Sequence, residues 1–416
     1  MRCKWASSIS STSPWQFDDK AALFGYYGKV KLFDNILPAT FLSRPNRFVV
    51  QCLVNGRKVR AYLPNPGRLW ELFFPGVKLF LQRLPRSPQR KLNHLIIAVE
   101  RDGVPVMLHT HANNLVARNL IEEGRIPGLE GAEIIKAEHQ VGKSRFDFLL
   151  QKDGREMVLE VKSCTLFNRT LAMFPDAVSA RATKHLLQLE ELSRKGFGTA
   201  VLFVVHSPRA QYFMPEHHTD LEFCRALLQV KDRVMVKAVS VEWKQDLSLG
   251  TVTRELTIPW DLVERESHDR GSYIVALRLP RDRRITVGGL GELKFRRGYY
   301  LYAGSAMKDL TQRLARHQRL IKNHHWHIDY LREHAEYIAG IPIRTSADIE
   351  CEIAGALSGI AEWQVPGFGS SDCGCQAHLV GMAEDPFLKR PFSDLLLRFR
   401  MGLLEEELSN RALTRR

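Results

Sequence analysis

From Arg145 to Lys152 and again from Val158 to Ser163, apolar and charged positions alternate along the chain. A period of two marks a half-buried strand. The Asp153-Gly154 pair between the two runs suits a two-residue type I′ hairpin. If Lys152 pairs with Arg155, paired positions sum to 307 and Asp147 lies opposite Glu160, with Lys162 following on the same face. Phe146, Phe148, Leu159 and Val161 are expected on the other face, where burial fixes the register.

The same reading divides the rest of the chain. Residues 36 to about 110 hold short β-type runs such as Phe48–Val54 and Leu92–Val99, broken by Asn55-Gly56 and Asp102-Gly103, as in a small barrel. Asp176 to Lys195 has leucines at helical spacing and stops at Gly196, and Ala200–Val205 reads as a buried central strand. The charge-mixed stretch after Trp243 shows no strong period, so residues 251–267 are expected to be a linker and a second unit to begin near His268. That unit has strand-like runs at Tyr273 and at Tyr299–Tyr302, and a helical period over Leu310–Ile321 that stacks Arg313 and His317 on one face. Residues 391–416 are basic and leucine-bearing, a terminal helix with no expected chemistry.

A chain of 416 residues has room for two or three cores, and 44% apolar with 25% charged residues is ordinary for a globular protein. The net charge of +14 points to an extended polyanion as partner. DNA is the expected partner, with RNA as the alternative. No apolar run approaches the roughly 20 residues that span a bilayer. Residues 1–32 lack an apolar core and contain Asp18 and Asp19, which argues against a signal peptide; they are expected to be a poorly ordered extension. Seven cysteines without framework spacing suit a reducing cytoplasm, with Cys52, Cys164 and Cys224 as buried small hydrophobes.

Directly opposed strand residues have Cβ atoms roughly 4.5–5.5 Å apart, so Asp147 and Glu160 can share a hard cation, Mg²⁺ or Mn²⁺. The same alternation also fits a surface ladder of ion pairs. Arg44, Asn46, Arg47, Arg60, Asn65 and Arg68 are the residue types that track a phosphate backbone, and Arg181, Lys184 and His185 lie on or beside one helical face, available to phosphate or forming the helix's ordinary polar side, the second being the readier reading of His185. Cys373, Cys375 and His378 have the softness Zn²⁺ favours, but Cys-x-Cys is tighter than the usual spacing. A fourth ligand would have to be imported, His325 or His327, and zinc is the lesser reading.

In order, Phe41–Phe48, Pro64-Asn65-Pro66-Gly67-Arg68-Leu69, the Asp147/Glu160/Lys162 hairpin, Phe174–Val178 and Lys184-His185-Leu186 resemble the sugar fermentation stimulation protein family. The resemblance implies an OB-like barrel over residues 33–110 and a PD-(D/E)XK-type α/β nuclease core over 111–250. In such a core Asp147 and Glu160 hold metal and Lys162 contacts water or phosphate. Residues 268–390 resemble a GIY-YIG-like α/β domain through Gly271-Ser272-Tyr273, Tyr302-Ala303-Gly304, Arg313, Arg316-His317, His325–Leu331, Glu350-Cys351 and Gly367–Cys375. That resemblance implies a one-metal phosphodiesterase in which Tyr273 and Tyr302 serve the water, Arg313 steadies phosphorane charge, His317 stands beside them and Glu350 binds the metal, with Glu352 as the alternative acid. Ser272 and Ala303 depart from the parent tripeptides, and a binding-only domain is the competing reading. The chain as a whole reads as a cytoplasmic DNA-binding protein with a metal-dependent nuclease core; a non-catalytic regulator of sugar metabolism and an RNA-processing nuclease are the alternatives.

Overall fold

The computed structural model describes residues 32–85, 88 and 91–414; of the extension expected over 1–32, residues 1–31 lie outside the described residues. The first strands are β1 (Ile36–Asn46), β2 (Val49–Val54), β3 (Arg57–Tyr62), β4 (Lys78–Arg83), β5 (His94–Arg101) and β6 (Val104–Met107). They run in the order β3-β2-β1-β4-β5-β6, and a pairing of Tyr62 with Leu95 closes five of them into a barrel. Asn55 and Gly56 have φ of 49° and 75°, and Asp102 and Gly103 51° and 78°, the left-handed pairs that I′ turns require.

After α1 (Asn113–Glu122) come β7 (Glu133–Val141), β8 (Ser144–Lys152), β9 (Arg155–Cys164), the short β10 (Leu166–Phe167) and β11 (Leu171–Phe174), α2 (Ala180–Arg194) and β12 (Gly198–Val205). Then follow β13 (Tyr212–Pro215), α3 (Leu221–Val230), β14 (Met235–Trp243), β15 (Leu249–Glu255) and α4 (Trp260–Glu266). The central sheet runs β15-β14-β12-β9-β8-β7, with β9, β12 and β14 parallel. One core, holding Val116 and Leu120 of α1 with Phe148 and Leu159, covers one face. The other, holding Leu186 and Leu189 of α2 with Val201 and Phe203, is continuous with the barrel interior at Phe41 and Val50.

The stretch expected as a linker is structured: β15 is an edge strand paired to β14, and α4 buries Leu262 and Val263. An edge strand with Thr251, Val252, Arg254 and Glu255 exposed or nearly so carries little apolar period to read. Cys52, Cys164 and Cys224 are buried as expected.

The third unit contains β16 (Gly271–Leu279), the β17 (Arg283–Thr286) and β18 (Glu292–Phe295) hairpin, β19 (Gly298–Ala306), α5 (Leu310–Gln318), α6 (His327–Arg332) and β20 (Glu336–Arg344). It continues with α7 (Glu350–Ile360), β21 (Trp363–Gln364), β22 (Leu379–Met382), α8 (Arg390–Leu397), a π-helical turn at Arg398–Gly402 and α9 (Leu403–Thr414). Its sheet runs β20-β16-β19-β22-β21. The tail is anchored rather than free. Buried Glu405 accepts the Thr170 and Leu171 N–H groups at 2.6 and 2.8 Å, and Arg400 pairs with buried Glu216 at 2.6 Å. Among the described residues no helix is long and apolar enough to cross a membrane.

Candidate active site

The β8–β9 turn forms as expected, with Asp153 and Gly154 at φ 50° and 75° and pairs from Lys152↔Arg155 to Phe148↔Leu159 in the 307 register. At Asp147 that ladder ends while β9 continues along β12. Asp147 takes over the next ladder position itself, its Oδ2 accepting the Val161 N–H at 2.7 Å, while Oδ1 accepts from Asn114 of α1 at 2.7 Å. The divergence corrects two expectations: Asp147 is not paired with Glu160 across the ladder, and the four apolar neighbours do not share one face. Phe148, Leu159 and Val161 share the α1-side core, but Phe146 lies in the α2-side core, 5.4 Å from the His185 ring.

Glu160 is 4% exposed. Its Oε1 meets His185 Nδ1 at 2.6 Å and the Lys162 ammonium, whereas Oε2 is buried with no partner. His185, read as an ordinary polar position, is therefore a buried neighbour of the acid; leucine periodicity shows which face a helix buries, not that a carboxylate waits beneath it. Burial, and then the neighbouring Glu160 charge, raise the Asp147 carboxyl to about 6. Burial also works against the charge of Glu160, but the His185 bond and Lys162 outweigh it and hold that carboxyl below its ordinary range. Two carboxylates held by helices on opposite faces of the sheet, one raised by burial and by the other's charge and one with an orphaned oxygen, are a hard-oxygen donor set. The residues fit Mg²⁺ or Mn²⁺.

The barrel's basic residues divide into two kinds. Arg44 gives its guanidinium to the carbonyls of Arg47, Asn65, Gly67 and Arg68, and Asn65 Oδ1 accepts the Gly67 N–H. These two hold the Pro64–Arg68 loop in shape. Gly67 is required there, since a Cβ would stand 2.1 Å from Asp176 Oδ2, which brings two of the recognised motifs together. Arg68 is half-buried, 5.2 Å over the Trp70 ring, and Asn46 accepts the Phe48 N–H. Arg47 and Arg60 are exposed, as are Arg181 and Lys184 on α2. Phe48 is 46% exposed beside Arg47.

In the third unit Tyr273 pairs with Gly304 across β16 and β19, and Tyr302 with Val275. The glycine is needed for contact: a Cβ at Gly304 would lie 2.4 Å from Tyr273 Cζ. The Tyr273 hydroxyl is 2.8 Å from His317 Nε2, and the two tyrosine rings are 6.5 Å apart. Burial pushes both phenols up and takes His317 down to about 3, so the imidazole is neutral. Arg313 stacks 4.2 Å over Trp326 and acts on Tyr273, Tyr302 and Glu350 electrostatically. Glu350 Oε1 lies 2.9 Å from His378 Nδ1. The five expected groups thus converge. Sequence reasoning missed Asp329, fully buried, whose carboxylate binds Arg316 and Lys322 and anchors α5 to α6. His327 Nδ1 is occupied by the Gly369 N–H at 3.0 Å, so it does not complete a zinc set.

Residues 42–108 match the family model of the SfsA N-terminal OB domain, residues 110–247 that of the sugar fermentation stimulation protein RE domain, and residues 272–401 a domain of unknown function, DUF123. A sugar fermentation stimulation protein homolog from Methanothermobacter thermautotrophicus is 38% identical over 196 residues, 47% of this chain and 81% of the relative. One from Clostridium tetani is 34% identical over 225 residues, 54% of this chain and 97% of the relative. The solved structure of Pyrococcus furiosus SfsA in complex with Ca²⁺ aligns with a TM-score of 0.51 at 28% identity, covering 56% of this chain and 99% of that one.

Proposed function

Since the chain belongs to the sugar fermentation stimulation protein family, we propose that it is a cytoplasmic DNA-binding nuclease that hydrolyses phosphodiester bonds with Mg²⁺ or Mn²⁺ held by Asp147 and Glu160. The observation that carries this reading is the buried, unpartnered Glu160 Oε2 beside a carboxyl raised by burial and by its neighbour's charge. The Pyrococcus relative was crystallised with Ca²⁺, a cation of the same oxygen-seeking class. When bound, such an ion polarises the phosphate and acidifies its water. Lys162, beside Glu160, would neutralise charge on the scissile phosphate, and His185, 2.6 Å from Glu160, would fix the orientation of that acid. Exposed Arg47, Arg60, Arg181 and Lys184 would follow the phosphate backbone, and Phe48 offers a face on which an unpaired base can stack. Tyr273, Tyr302, Arg313, His317 and Glu350 would form a second phosphodiesterase centre in the C-terminal domain.

The test is cleavage of duplex and single-stranded DNA with Mg²⁺ or Mn²⁺ by the wild-type chain, Asp147→Asn and Glu160→Gln, with binding followed by anisotropy and RNA as competitor. Loss of cleavage with retained binding supports the reading. Wild-type rates in either variant overturn the site, and tight binding without cleavage under any divalent ion identifies a regulator.

A further inference from the structure

Three cysteines and a histidine of the C-terminal domain meet at one point that the phosphodiesterase chemistry does not use. Cys351 stands on the first turn of α7, Cys373 and Cys375 on the loop before β22, and His378 immediately ahead of that strand. Their ligand atoms all lie within 4.8 Å of one another. His378 Nε2 is 3.3 Å from Cys373 Sγ and 3.9 Å from Cys351 Sγ. A tetrahedral Zn²⁺ with ordinary Zn–S and Zn–N bonds sets sulfur and nitrogen about 3.6 Å apart, and the two distances bracket it. We propose that Cys351, Cys373, Cys375 and His378 form a Cys3His zinc site. Cys351 supplies the ligand that Cys373, Cys375 and His378 lack by themselves.

The surroundings are built for such a site. Metal-bound imidazoles usually give their other nitrogen to a carboxylate, which fixes tautomer and ring. Here His378 Nδ1 faces Glu350 at 2.9 Å, leaving Nε2 for the metal. The His378 backbone is pinned on both sides: its N–H donates to Phe368 O and its carbonyl accepts the Ala303 N–H, each at 2.9 Å. Ala303 lies between Tyr302 and Gly304. Zinc would therefore clamp α7, the 365–378 loop and the tyrosine-bearing β19 into one unit and hold Glu350 in place. The role is structural, in closed tetrahedral coordination with no position left for substrate.

The site does not depend on cleavage, and neither does its test. The full chain, purified reduced, is expected to carry one zinc per molecule, and X-ray absorption to show three sulfurs and one nitrogen around it. Exchange for Co²⁺ should give the thiolate charge-transfer absorption of a tetrahedral site. Cys351→Ser and Cys373→Ser should each lose most of the bound zinc; if a variant does not fold, the wild-type zinc content and Co²⁺ spectrum still decide. A chain that takes up no zinc after reduction, a purely oxygen and nitrogen shell, a native disulfide among these cysteines, or undiminished zinc affinity in Cys351→Ser would each overturn the proposal.

Discussion

Asp147 and Val161 are joined by a hydrogen bond that replaces a rung of the β8–β9 ladder: the carboxylate, not a backbone carbonyl, receives the Val161 N–H at 2.7 Å. A strand that leaves its partner at this point exposes a main-chain donor, and an acid placed there satisfies it while its second oxygen accepts from Asn114 of α1. The same opening sends Phe146 across to α2, against His185.

Removing one acid should relieve the other. A carboxyl raised to about 6 carries a penalty on its charged form of roughly 3 kcal/mol. Asp147→Asn keeps an acceptor for Val161 and removes the repulsion. The metal-free variant is therefore expected to melt no lower than wild type at pH 8, and to lose the stabilisation that Mn²⁺ gives the native chain. A large fall in Tm without metal would show that Asp147 is a structural ion-pair partner.

The pH dependence has a defined sign. Asp147 binds a proton more readily folded than unfolded, so this group favours the folded state below about 6 and that advantage is lost as pH rises through it. Cation binding runs the other way, because ligands must shed protons. Mn²⁺ affinity by calorimetry should fall as pH drops below about 6; an affinity flat from pH 5 to 8 would exclude Asp147 as a ligand.

His185 meets Glu160 at 2.6 Å, and the proposal gives it the part of a positioning residue. Loss of such an outer partner typically costs ~10–100-fold in metal affinity, so His185→Ala should weaken Mn²⁺ binding by that factor, with His185→Gln recovering part of it. Unchanged metal affinity in the alanine variant would make the His185 contact incidental.

On duplex DNA the affinity should fall with salt by about 0.9 logarithmic steps per phosphate contact. Arg47→Ala and Arg60→Ala should each flatten that slope. Arg44→Ala should instead lower stability, since its guanidinium holds four backbone carbonyls of the barrel loop. Salt slopes identical in all three variants would remove the barrel from the interface.

Glu405 ties the tail to the central domain through the main-chain donors of Thr170 and Leu171. Leaving such buried donors unsatisfied costs about 1–3 kcal/mol each, so Glu405→Ala should lower the denaturation midpoint clearly. A shift within experimental scatter would mean that Glu405 adds nothing to the docking of the tail.

The parts legible in the sequence were those with a short-range code. Asp153-Gly154 fixed a two-residue turn, and with it the register from Lys152↔Arg155 to Phe148↔Leu159, one position short of Asp147 and Glu160; the other left-handed turn pairs likewise belong to local rules. What escaped was set by tertiary contact. Nothing near His185 signals that it meets an acid 25 residues earlier, and Cys351 lies on a helix, 22 positions before its nearest thiol partner in sequence, Cys373. Arg44 and Arg47 look alike in the chain, yet one is folded into a loop and the other faces solvent. The edge strand Leu249–Glu255 is exposed on both faces beyond Gly250 and so shows no apolar period.

Whether Asp147 and Glu160 hold a divalent cation is decided by crystals of the full chain soaked in Mn²⁺ and measured at the manganese absorption edge. An anomalous peak is expected within ~2.0–2.6 Å of carboxylate oxygens of both residues, absent in Asp147→Asn. A peak elsewhere, or none in crystals of protein that cleaves DNA with Mn²⁺, would contradict the assignment.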